Sequence, residues 1–116
     1  MAILTIGCQQ TEKPMLEKST IVERVNFKVN PRFNIVQAKE AMKVMNDFVM
    51  RQPGYVGRVT SLSENDEFLD LVFWETLEDA KSASEKLMKE KEIVEAISVI
   101  DNESMQFGHF KIFNKN

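Results

Sequence analysis

One histidine, one tryptophan, one cysteine and a carboxylate set inside an apolar run are the side chains of this 116-residue chain best suited to chemistry. His109 sits in "MQFGHFKIF", where alternation places it on one strand face with Met105 and Phe107. An imidazole titrates near neutrality, so there it can serve as acid or base; a lone strand histidine equally serves as a hydrogen-bonded packing residue. Asp70 interrupts "EFLDLVFWE". A carboxylate buried in such a run must be paired, and Arg24 and Arg58 are the candidate cations. That pair can be a structural or dimer-registering feature as well as a catalytic one. The single cysteine, Cys8, excludes an internal disulfide and any multi-cysteine metal site. His109 has no companions at ligand spacing, so no metal is expected.

The elements that must position these groups follow from periodicity. Across "TIVERVNFKV", Ile21, Val25, Phe27 and Val29 share one face, and Val22, Arg24, Asn26 and Lys28 share the other, which predicts a strand. After a turn at Asn30 and Pro31, the spacing of Ile35, Ala38, Met42, Met45, Phe48 and Val49 is helical, and Pro53 and Gly54 break that helix. "YVGRVTSLS" and "EFLDLVFWE" then read as a hairpin about "END". Thr76 is a good N-cap for a second helix, with Glu78 and Asp79 in the first turn and Leu77, Ala80, Ala83 or Ser84, and Leu87 along one face. "EIVEAISVI" adds a further helical turn or two before the last strand, Met105 to Phe113.

The order strand, helix, strand, strand, helix, strand predicts an α+β, ferredoxin-like βαββαβ fold: a four-stranded antiparallel sheet with both helices on one face. On the third strand, Leu69, Leu71 and Phe73 are expected to pack against the helices. Phe68, Asp70, Val72 and Trp74 then point away from them, beside Arg24 and Asn26. An open sheet face carrying Phe, Val and Trp is an apolar patch of the kind that meets a second copy or a ligand.

Composition narrows the function. The hydrophobic content of 43% fits one globular domain with one core. The net charge of −3 divides into +4 over residues 1 to 60 and −7 over the rest, with no basic cluster, so nucleic acid is not an expected partner. "MAILTIGCQQ" resembles the end of a bacterial lipoprotein signal, but Thr5 occupies its aliphatic position and no basic leader precedes it. Residues 1–18 are therefore expected to be an arm or extra strand of a cytoplasmic protein, with a lipid anchor through Cys8 as the alternative. No apolar run approaches the roughly 18 residues that span a bilayer.

The element order, the "QPGYVG" entry to the second strand and "FWETLEDAKSASEKL" together resemble the dimeric α+β-barrel superfamily, in particular antibiotic-biosynthesis-monooxygenase-like domains. The resemblance spans Thr20 to Phe113 and so makes residues 19–116 the domain. It implies that two sheets close into a homodimeric barrel holding a small hydrophobic or aromatic ligand. It also implies that Trp74 is the family's strand-end tryptophan and Asn26 its first-strand asparagine. Some such domains oxidise phenols or quinols with oxygen and no cofactor. On that reading Asp70 and His109 deprotonate a phenol, Asn26 and the Trp74 indole N–H bind the developing anion, and Phe68, Val72, Arg24, Arg58 and Phe107 line the site. Haem-cleaving members carry a second-helix histidine where this chain has Ser84. The alternative function is a barrel without catalysis that binds a small apolar ligand or acts as an interaction module.

Overall fold

A computed structural model of the chain describes residues 17–116. The expected arm falls almost wholly on residues 1–16 and so, with Cys8, lies outside the described residues. Strand β1 (Ile21–Lys28) leads into helix α1 (Ile35–Met50), the hairpin β2 (Tyr55–Leu62) and β3 (Glu67–Trp74), helix α2 (Leu77–Leu87), the short helix α3 (Lys91–Ala96), a 3₁₀ turn (Ile97–Val99) and β4 (Gln106–Lys111). The strands form one antiparallel sheet in the order β2-β3-β1-β4.

Local chemistry accounts for the helix starts. Asn34 accepts a hydrogen bond from the Gln37 backbone N–H at 2.8 Å, and the Gln37 side chain accepts from the Asn34 N–H at 2.9 Å, a reciprocal capping box. Thr76 caps α2 by accepting from the Asp79 N–H at 3.1 Å, and its hydroxyl donates to the Asp79 carboxylate at 2.8 Å. That cap also dictates Gly54, which turns the chain into β2 at φ +81°. A Cβ there would overlap the Asp79 carboxylate, so the position requires both the left-handed backbone and the missing side chain.

The helices cover one sheet face. Ala38, Ala41, Met42, Met45, Phe48 and Val49 of α1 and Ala80 and Ala83 of α2 join Ile21, Phe27, Phe68, Val72 and Trp74 in one core. Phe27 and Phe68 stack at 5.2 Å with rings 5° from parallel, an arrangement worth about 0.5–1.5 kcal/mol beyond the area it buries.

This corrects the expected facing of β3. Phe68, Asp70, Val72 and Trp74 are buried under the helices, while Leu69, Leu71 and Phe73 lie on the open face and are only partly covered. Both alternating sets of this strand are mostly apolar, so a period of two gives the alternation without its direction. Register supplies the direction. Ile21 pairs with Trp74, Val25 with Asp70 and Phe27 with Phe68, so the inward set of β1 carries the even-numbered residues of β3 with it. The facing expected for β1 agrees with the structure.

Candidate functional site

Between the sheet and the helices lies a cavity of about 500 Å³. Met42, Met45 and Val49 of α1 face it from one side, Leu87 and Met88 from another, and Val25, Phe27 and Val72 form the sheet floor. Met105 and Phe107, each close to half-exposed, also line it. Into this apolar wall the strands insert three charged groups, Glu23, Arg58 and Asp70.

Arg58 and Asp70 satisfy one another. The guanidinium donates to the carboxylate twice, Nε to Oδ1 at 2.9 Å and Nη2 to Oδ2 at 2.8 Å. Its Nη1 donates to the Met42 carbonyl at 3.0 Å and to Asn46 Oδ1 at 2.8 Å. The two side chains are only 4% and 11% exposed, and a bidentate pair with its remaining donors occupied is the geometry in which buried opposite charges are tolerated. Arg58 and Met42 also separate the cavity from a depression of about 490 Å³ outside, between α1 and the β2 edge, which Lys39 and Lys43 border. With four of its five donors engaged, Arg58 offers that outer depression little.

Glu23 is the polar group that the periodicity argument missed. It stands between Ile21 and Val25 on the inward face of β1, and its carboxylate Oε1 lies 2.9 Å from Nε2 of His109 on the neighbouring strand β4. Burial pushes the Glu23 carboxyl above its ordinary value of 4.5; the hydrogen bond and charge of His109 pull it back, the charge of Asp70 adds to the rise and that of Arg58 opposes it. When Glu23 is ionised its carboxylate only accepts, and the imidazole Nε2–H is then the donor. The Phe107 ring packs edge-on against the imidazole at 5.0 Å. An acid at an inward-facing strand position, flanked by aliphatic residues two away on either side, was the available signal for Glu23.

The expected site residues therefore divide. Asp70, Arg58, Val72 and Phe107 line the cavity, with His109 hydrogen-bonded to Glu23 at its edge. Phe68 faces the helices but borders the outer depression. Trp74 is 2% exposed and packs edge-on to Tyr55 at 6.3 Å, one register step beyond Val72 in the core; it is not among the residues lining the cavity. Its indole N–H has no hydrogen-bond partner among the described residues. Arg24 and Asn26 are on the opposite face of the sheet. The Arg24 guanidinium lies 5.0 Å over the Phe110 ring, and Asn26 donates to Glu67 at 3.1 Å and to Gln106 at 3.4 Å. Asn26 and Trp74 thus do not converge within one protomer, and Arg58 alone pairs with Asp70. No group of three or more potential metal-ligating side chains occurs among the described residues, and no helix among them is long and apolar enough to cross a membrane.

No family model and no curated protein matches the sequence. Solved structures match the fold. A monooxygenase of Streptomyces coelicolor in complex with nanaomycin D superposes with a TM-score of 0.66 at 12% identity, over 86% of this chain and 93% of that one. SnoaB, a cofactor-independent oxygenase from Streptomyces nogalater, gives a TM-score of 0.60 at 11% identity over 84% and 95%. A dimeric ferredoxin-like protein from an uncultured marine organism gives 0.65 at 10% identity over 87% and 94%. The chain therefore has the α+β ferredoxin-like fold of the antibiotic biosynthesis monooxygenase structures, as the "QPGYVG" and "FWETLEDAKSASEKL" segments led one to expect.

Proposed function

We propose that the protein is a cofactor-independent monooxygenase that oxidises a small phenol or quinol held between sheet and helices. The observation that carries this reading is an apolar cavity of about 500 Å³, large enough for a bicyclic or tricyclic aromatic, with acid–base groups set into one wall. Similar structures include a cofactor-independent oxygenase and a monooxygenase bound to nanaomycin D, which supports the same class of chemistry. The reaction balances without a cofactor. A quinol and one O₂ give a hydroxyquinone and water; the organic substrate supplies all four electrons, one oxygen atom enters the ring and the other leaves as water. The protein's share is to bind the ring away from solvent, to take the hydroxyl proton so that the ring becomes electron-rich, and to hold charge in the wall fixed. His109 belongs to the proton-handling side of the cavity. Asp70, locked by Arg58, fixes charge in the wall, and Trp74 closes the core beside it.

A second copy is proposed to cover the open sheet face. Leu69, Leu71 and Phe73 form its centre, Val59 and Phe110 are 47% and 46% exposed at its sides, and one of the similar structures is a dimer. On this face Arg24 and Asn26 carry buried atoms, Nε and Oδ1, that find no partner within the described residues. They are the polar groups that would fix the orientation of the partner sheet.

The engagement of both Asp70 oxygens by Arg58, and the placement of Asn26 across the sheet, favour a second reading in which the same cavity binds an aromatic ligand without turning it over. Oxygen uptake with 1,4-naphthoquinol under ¹⁸O₂, using chelator-treated protein, separates the two. The oxygenase reading predicts protein-dependent uptake, one ¹⁸O in a hydroxynaphthoquinone and no peroxide. Uptake equal to the buffer control, with unlabelled quinone and hydrogen peroxide, contradicts it and leaves the binding reading.

A further inference from the structure

We propose that Glu23, oriented by His109, is the group in the cavity that accepts the ligand's hydroxyl hydrogen, so that the site selects uncharged aromatic compounds bearing a free hydroxyl over the same ring systems without one. The proposal rests on the cavity being the ligand site, but not on its being an oxygenase.

The polar inventory of the wall singles out Glu23. Both Asp70 oxygens accept from Arg58, and Oδ1 lies 3.4 Å from the Thr60 hydroxyl as well. The Ser84 and Ser98 hydroxyls donate to the carbonyls of Ala80 and Glu95 at 3.2 and 2.6 Å and keep only neutral acceptor capacity, and Asn102 is exposed. Glu23 differs in charge as well as in engagement. Among the described residues only His109 hydrogen-bonds to its carboxylate, through Oε1, which leaves Oε2 an acceptor without a protein donor on a side chain that lines the cavity. The side chain is 13% exposed and its histidine 16%, so the oxygen is reached from the cavity rather than from the open surface. A hydroxyl donating to an ionised carboxylate in such a place makes a charge-assisted hydrogen bond, roughly twice as strong as a neutral one. If transfer follows, the ligand O–H bond breaks, an O–H bond forms on Glu23, and the ligand keeps the electron pair. Burial favours the neutral acid that results, in keeping with the raised proton affinity of this carboxyl.

The charged groups facing Glu23 are His109 from β4, Asp70 from β3 and Arg58 from β2. The helices contribute only apolar side chains and the Ser84 hydroxyl to the cavity, and the segment from the 3₁₀ turn to β4 adds Ser98 and Asn102. The pH response of ligand binding is therefore set by this strand cluster. His109 acts as a positioning residue: it touches Glu23 and not the cavity.

The test measures equilibrium binding of 1-naphthol and of 1-methoxynaphthalene to the full chain by fluorescence, in the wild type, Glu23→Gln and His109→Gln. The wild type is expected to prefer the naphthol by roughly tenfold to a hundredfold, the range of a hydrogen bond to a charged group. Glu23→Gln is expected to bring that preference down to about threefold or less, with methoxynaphthalene affinity little changed. In the unmodified protein the preference is expected to disappear as pH falls through the raised Glu23 value, which tests the idea without any substitution. His109→Gln keeps an amide able to donate to Glu23 but removes the histidine charge that lowers the Glu23 value, so the pH at which the preference disappears should move upward, a shift that a merely structural role for His109 would not produce. Equal binding of the two compounds by the wild type, no binding of 1-naphthol, or an undiminished preference in folded Glu23→Gln overturns the proposal. A hydroxyl preference with no oxygen uptake would leave it standing while removing the oxygenase reading.

Discussion

Replacing Arg58 by Met should be among the most damaging single changes available outside the aromatic core. It leaves the Asp70 carboxylate, 11% exposed, without its cation, and deprives the Met42 carbonyl and Asn46 Oδ1 of a donor at the same time. Removing one partner of a buried ion pair costs about 3–5 kcal/mol, because a desolvated charge is left uncompensated. For a domain of this size, at about 4 °C per kcal/mol, that is a fall in melting temperature of about 12–20 °C. Removing both charges is a different perturbation. Arg58→Met with Asp70→Leu replaces the pair by apolar side chains on an already apolar wall, so the double variant should lie within about 2 kcal/mol of wild type and well above either single variant. Urea unfolding followed by circular dichroism, at one fixed protein concentration because association would shift the midpoint, gives all four corners of the cycle. A cost below about 1 kcal/mol for Arg58→Met, or a double variant no better than the sum of the singles, would refute the claim that this pair is an interdependent, desolvated unit.

Three further outcomes follow from the same geometry. Glu23 has its folded-state proton affinity raised above the ordinary value of 4.5, so its favourable contribution is present below that value and is lost as pH rises through the raised one; urea midpoints should therefore show wild type losing stability relative to Glu23→Gln across that window, and a constant difference would contradict the environment described. Leu71→Arg puts a charge at the centre of the open sheet face, and light scattering should show a monomer with helix and strand content intact; an unchanged dimer would place the interface elsewhere. Trp74→Ala should cost about 3–5 kcal/mol as a core truncation, whereas Trp74→Phe also removes an unpartnered buried N–H and should cost about 2 kcal/mol or less by denaturant unfolding, a difference that a surface indole would not show.

Most of the architecture was legible because it rests on local periodicity and punctuation. The inward set of β1, the α1 face from Ala38 to Val49, the Thr76 cap and the break at Gly54 all announce themselves within a few residues. The site was less legible because it depends on which face of β3 is covered. Leu69, Leu71 and Phe73 are as apolar as Phe68, Val72 and Trp74, so the strand alone does not say which set is inside. That is settled by pairing with β1, a non-local fact. The reversed face carried Asn26 and Arg24 into the expected site and left Glu23 out of it. Arg58 was one of two candidate partners for Asp70, and the register decides between them: Arg24 stands opposite Leu71, on the side of the sheet away from Asp70. His109 was visible as a lone titratable residue, but its partner on the adjacent strand was not, because the Glu23 to His109 spacing of 86 positions carries no local signal.

The central claim is that a small hydroxylated aromatic occupies the space between sheet and helices with its oxygen on Glu23. A crystal structure of the protein grown with 1-naphthol tests it most directly. The ring should lie over Val72 under Met42 and Met45, with its oxygen about 2.5–2.7 Å from the Glu23 carboxylate, as a charge-assisted O–H bond requires. Naphthol seated on the open sheet face beside Arg24 and Phe110, or a cavity closed by its own methionines with no ligand inside, would contradict it.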